Sequence, residues 1–108
     1  MSEHVQTLSF DAVMDRLIAL RKAYHEDYLA MYSSWFGGII REPALMMVPV
    51  DDHLVHRGDG IFEAFKCVDW NIYALQRHLD RLERSAKISG LNLPMNHSQL
   101  VETILATV

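Results

Sequence analysis

The sequence predicts an α+β fold: a small antiparallel sheet with packed helices, preceded by an N-terminal helical extension. Three observations carry this. Apolar residues recur at three- and four-residue spacing in three separate stretches, the pattern of amphipathic helices. Between the first and second stretches the period breaks into short apolar runs, bounded by Gly-Gly, Glu-Pro and Val-Pro. Half of the 108 residues are apolar, enough for one modest core and no more.

The first helix is expected over residues 9 to 31, where Phe10, Val13, Met14, Leu17, Tyr24, Tyr28 and Met31 form a stripe. Ser9 suits its N-cap, and Asp11 suits the positive end of the helix dipole. The stripe reads as a docking face for a core or for a partner chain. Short strands and turns are expected between residues 35 and 50. The best strand signal is "GIFEAFKCVD", and "DWN" turns it into "IYAL" as a hairpin of undetermined turn type. A second helix is expected over roughly 76 to 89, with Leu75, Leu79, Leu82 and Ala86 on one face and Gly90 ending it. In the last helix Asn96 and Gln99 form a capping box, and Leu100, Ile104 and Leu105 line up. The apolar stripes are generous for so few elements, which points to a surface meant for something beyond these residues.

Composition excludes several classes. The net charge is -4 and no strongly basic face is present, so nucleic acid is not an expected partner. No apolar run approaches the roughly 18 residues of a membrane span, and no leader pattern opens the chain, so no membrane partner is expected. The single cysteine, Cys67, cannot form an internal disulfide and fits a reducing, cytoplasmic setting. It is expected as a buried strand residue rather than a nucleophile.

The unusual stretch is "HLVHRGDGIFEAFK", residues 53 to 66. His53 and His56, near Asp51, Asp52 and Asp59, have the residue types of a metal site, but the segment reads as a loop and no second ligand cluster exists, so none is assigned. "GDG" is followed by neither Lys-Ser/Thr nor a helix, so it is not a nucleotide-phosphate loop. Gly58 and Gly60 read as suppliers of a positive φ or of room for close approach. From the residues alone the favoured reading of 51 to 60 is a structured turn.

Order and separation add to this. "YSSWFGGIIREPALMMVPVDDHLVHRGDGIFEAFK", a hairpin, then "YALQRHLDRLERSAKIS" strongly resembles the N-terminal domain of the class IV aminotransferases. These are fold-type IV enzymes that use pyridoxal phosphate. They include branched-chain and D-amino-acid aminotransferases and 4-amino-4-deoxychorismate lyases. "GDGIFE" and "HLDRLERSA" each carry little alone and form a specific pair at this separation. The resemblance covers about residues 32 to 105, so residues 1–31 read as a helical extension and 32–108 as the small N-terminal domain. The "YSS…GGI" flavour lies nearer the D-amino-acid aminotransferase and aminodeoxychorismate lyase members.

The resemblance implies site residues. Arg81, in "HLDRL", would grip the cofactor phosphate, for which a guanidinium supplies a planar, permanently charged fork. Arg81 lies about 100° from Leu82 on the helix, at the edge of the apolar face; its bland alternative is a surface arginine paired with Asp80, Glu83 or Ser85. Phe62 and Glu63 would line the substrate pocket, although strand geometry points them to opposite sides. Core packing is an equal alternative for Phe62. Glu63, in an apolar run, needs a partner whatever its role. His56 and Arg57 fall where side chains cross a homodimer interface toward the neighbour's pocket, and Arg57 suits a substrate carboxylate.

Family chemistry also requires a lysine that forms a Schiff base with the cofactor. Lys22, Lys66 and Lys87 do not fall at that position, so no catalytic residue is assigned. The expectation is therefore the N-terminal part of a dimeric aminotransferase or lyase acting on amino acids, inactive as this chain alone. The alternative is a stand-alone, non-catalytic truncated domain that self-associates or binds a partner.

Overall fold

A computed structural model describes residues 4–108; the first three residues of the expected extension lie outside the described residues. Helix α1 spans Phe10–Ala19, and the Ser9 hydroxyl accepts from the Ala12 N–H at 3.2 Å. The helix expected to reach residue 31 therefore stops early. The Lys22 N–H donates to His25 Nδ1 at 2.8 Å, and a 3-10 turn follows over Ala23–Asp27. Tyr24, His25 and Tyr28 pack ring on ring there, with centroids 4.4 to 6.0 Å apart. A side chain that bonds the backbone locally competes with the helical ladder, and here it wins. Arg21 and Glu42, 3.3 Å apart, pair the end of this region with the start of a second 3-10 turn at Pro43–Leu45.

Strands β1, Met31–Ser33, and β2, Gly38–Ile40, form an antiparallel hairpin with Tyr32 opposite Ile39. Only β2 falls within the 35–50 window where strands were expected. Residues 53 to 57, read as part of a turn, are instead a short helix, α2, His53–Arg57. The Asp52 carboxylate caps it, accepting from the Leu54 N–H at 2.9 Å. Gly58 ends it at φ 74°, a conformation that costs glycine little. At Gly60 a Cβ would run into the Leu54 side chain, so that glycine serves close approach. The two glycines thus fill the two roles the sequence offered for them.

The expected strand from Gly60 is paired only at its end. Residues 61 to 65 make no backbone hydrogen bonds to other described residues, the Tyr73 N–H donates to the Lys66 carbonyl at 2.8 Å, and β3, Cys67–Val68, pairs with β4, Asn71–Ile72. Asp69 (φ 49°) and Trp70 (φ 66°) are both left-handed, which makes this a type I′ turn without glycine. The Asn71 side-chain amide donates to the Asp69 carbonyl at 3.1 Å and helps hold it. Cys67 is exposed, not buried, as is Val68 beside it in this short ribbon.

Helix α3, Leu75–Ser89, matches expectation and ends at Gly90. Helix α4, His97–Thr107, opens with the expected capping box: the Gln99 N–H donates to Asn96 Oδ1 at 2.9 Å, and the Asn96 N–H to Gln99 Oε1 at 3.0 Å. Leu100 and Ile104 are half-buried, while Leu105 points outward at 53% exposure. Helix α4 lies against β1, and an apolar groove of about 430 Å³ runs past Tyr32, Phe65, Met95, Leu100 and Ile104. The α+β class holds: the described residues form four α-helices and two antiparallel ribbons. The core centres on α3, where Leu79 and Ala86 are the buried apolar side chains among the described residues.

Candidate functional site

Helix α3 places Arg77, Arg81 and Arg84 at i, i+4 and i+7, which is one side of a helix. His78 precedes Arg81 by one turn. Leu79 and Ala86 anchor this helix and turn the arginine side away from the core, and Gly90 in the left-handed region ends it. Facing it is the extended segment 61 to 66. Its burial alternates residue by residue: Ile61, Glu63 and Phe65 turn inward, and Phe62, Ala64 and Lys66 outward. That is strand periodicity without a strand partner.

The alternation delivers Glu63 to α3. Arg81 Nε–H donates to both Glu63 oxygens at 3.0 Å, and Arg81 Nη2–H donates to Oε1 at 2.8 Å. His78 Nδ1 lies 2.8 Å from the same Oε1. A carboxylate only accepts, so Nδ1 carries the proton and donates it. The 3.3 Å approach of Arg81 Nη2 to that nitrogen is then a contact between donors. Phe65 packs beside the imidazole, with ring centroids 5.4 Å apart.

Exposure is unequal across the cluster. The Glu63 side chain is 9% exposed, His78 17% and Arg81 58%. The Arg81 bonds first, and the His78 bond after them, hold the Glu63 carboxyl below its ordinary value, against the opposing effect of burial. The same pair raises Arg81 above its own. A groove of about 410 Å³ opens over α3, lined by Tyr73, Arg77, His78, Asp80, Arg81 and Arg84. Glu63 is not part of its lining. The groove offers cationic, forked donors at its wall, the chemistry that suits a phosphate or carboxylate.

Of the residues singled out from sequence, the structure brings Glu63 and Arg81 together. Phe62 is on the opposite side of the segment from Glu63 and is 87% exposed. His56 and Arg57 close α2, both exposed, and neither bonds to the cluster among the described residues. His53 is on the same short helix, so the spacing of three does place the two histidines on a helix. No group of three or more metal-ligating side chains occurs among the described residues. Sequence reasoning missed His78, Arg77 and Arg84. The signal was present in the helical spacing of the "RHLDRLER" stretch, which puts all of them within one turn of Arg81.

The model of the amino-transferase class IV family matches residues 60–108, which hold "GIFE" and "HLDRLERSA". Residues 60–108 thus match the class IV aminotransferase family, and similarity to aminotransferases extends over nearly the whole chain. It is 39% identical over 107 residues to a D-amino-acid transaminase, chloroplastic, of Arabidopsis thaliana, covering 99% of this chain and 28% of the relative. It is 34% identical over 61 residues to a putative branched-chain-amino-acid aminotransferase of Methanocaldococcus jannaschii, covering 56% of this chain and 21% of the relative. A branched-chain-amino-acid aminotransferase of Pseudomonas aeruginosa is 31% identical over 78 residues, covering 68% and 25% respectively. The chain thus spans about a quarter of the length of these curated relatives. No solved structure gives a significant match. No helix among the described residues is long and apolar enough to cross a membrane.

Proposed function

We propose that this chain supplies the phosphate-gripping arginine and part of the substrate pocket of a pyridoxal-phosphate-dependent aminotransferase or lyase acting on amino acids. One observation carries the reading: Arg81, the arginine of the "HLDRL" motif, stands at the wall of an open cationic groove with more than half its side chain exposed. A phosphate monoester fits that donor set by charge and by shape. When bound, pyridoxal phosphate supplies an electron sink for bonds at the amino-acid α-carbon. The chain's part is to hold the phosphate at Arg81, with Arg77 and Arg84 adding positive charge beside it. None of Lys22, Lys66 and Lys87 lines the groove, so this reading assigns the cofactor lysine to a residue outside this sequence and expects no turnover from the chain alone.

Within the same reading, residues 1–31 are an extension and 32–108 the small domain. Phe62, exposed on the outer side of its segment, faces substrate. His56 and Arg57, exposed at the end of α2, reach the pocket of the other subunit of a homodimer, where Arg57 meets a substrate carboxylate. The D-amino-acid members supply the first substrate class to test, supported by 39% identity across nearly the whole chain. A cytoplasmic setting goes with the one free thiol.

The test is paired titration with pyridoxal phosphate and with pyridoxal, which lacks the phosphate. Arg81→Ala is expected to weaken pyridoxal phosphate about tenfold or more and to leave pyridoxal unchanged. Equal effects on both, or none, defeat the assignment. A second reading is a non-catalytic domain that self-associates or binds a partner. The exposure of Trp35, Phe62 and Trp70, at 65%, 87% and 83%, favours it, and it would survive an Arg81→Ala result of no change.

A further inference from the structure

We infer that Glu63 is a positioning residue for anion capture: it clamps one edge of the Arg81 guanidinium from behind, so that the other edge faces the groove ready-aimed. The inference rests on the reading of Arg81 as a phosphate ligand and adds a role that the motif itself does not assign. Three observations carry it. The Glu63 oxygens take up Nε and Nη2 of Arg81, and Nη1 makes no hydrogen bond to another described residue. Arg81 lines the groove and is 58% exposed, whereas Glu63 is 9% exposed and does not line it. The carboxylate therefore sits on the far side of the guanidinium from the open space and does not occupy the anion's place.

The physical consequence concerns ordering. A free arginine side chain holds many rotamers, and an anion that binds it must freeze them. Here that ordering is made on folding, by a two-oxygen clamp with His78 bonded to one of the same oxygens. His78 steadies the carboxylate, and Phe65 steadies His78. An anion then meets a guanidinium already turned toward it, with Arg77 and Arg84 on either side along α3.

Electrostatics alone predicts the opposite sign. Glu63 is a negative charge near the seat, so a purely electrostatic role means that removing it tightens anion binding. The discriminating experiment titrates the 108-residue chain with inorganic phosphate at fixed ionic strength, following the Arg81 Nε–H signal by NMR. In the unchanged chain phosphate is expected to shift that signal to saturation, and Arg81→Lys to abolish the response. Glu63→Ala is expected to weaken phosphate by about tenfold and to lose the Nε–H signal to fast exchange. Glu63→Gln keeps one acceptor at the same size and is expected to fall in between, and it decides the matter if the alanine variant does not fold. Unchanged or tighter phosphate binding in the Glu63 variants overturns the positioning role and leaves the Arg81 reading standing. Absence of any phosphate response in the unchanged chain overturns the Arg81 reading and the positioning role with it.

Discussion

Glu63 is the residue whose behaviour sequence and structure both illuminate. A carboxylate inside "GIFEAF" has to find a cation, and that requirement was legible without coordinates. Its partner was not, because Arg81 lies 18 residues away and Asp80, Glu83 and Ser85 on Arg81's own helix offered alternative pairings. The pairing has a pH signature. The folded carboxyl titrates below its ordinary value of 4.5, mainly through Arg81. Its stabilising contribution is complete above the unfolded value and is lost as pH falls through the lower folded one. The melting temperature of the unchanged chain should therefore exceed that of Glu63→Gln at neutral pH, and the gap should close as pH is taken below 4.5. A gap that persists or widens in acid would show that the ion pair is not its source. Cys67 shows the converse limit: its residue type favours burial, and the bare ribbon it belongs to leaves it exposed.

At the scale of elements, periodicity located α3 and α4 well, since their stripes and caps agree with each other. It overran α1, because the Tyr24, His25 and Tyr28 stripe is helical in spacing while its rings and the His25–Lys22 bond make a 3-10 turn. It missed α2, whose five residues are too few to show a period. The segment 61 to 66 is the instructive case. Its side chains alternate as a strand's do, yet Ile61 to Phe65 make no backbone hydrogen bonds to other described residues. In hydrogen exchange those amides should fall in the fastest class, while α3 amides from Leu79 to Ala86 are protected. Equal protection at 61 to 65 would mean that another strand pairs with them in solution.

The whole molecule is loosely closed. Its radius of gyration is 17.3 Å, against roughly 13 Å expected for a compact domain of this length. Its long axis is 53 Å and its short axis 21 Å. With so little fully buried, α3 carries much of the cohesion: Leu79 is 1% exposed. Leu79→Ala should lower unfolding stability by about 2 to 4 kcal/mol, measured by denaturant titration. The same truncation at Leu105, 53% exposed, should cost well under about 1 kcal/mol, because little surface is returned to water. Similar losses at both positions would show that α3 is not the centre of the core.

The sequence by itself determined the α+β class, the two later helices with their caps, the glycines that shape the turn after α2, and the motif pair that marks the family. These rest on local physics: spacing, capping and backbone freedom act between residues a few positions apart. Only the tertiary structure decided which cation meets Glu63, that His78 joins them, and that Arg81 stays more than half exposed at a groove also lined by Arg77 and Arg84. Those outcomes depend on how an extended segment docks on a helix, through Phe65 against His78 and Glu63 against Arg81, contacts between residues 13 or more positions apart that no pattern along the chain specifies.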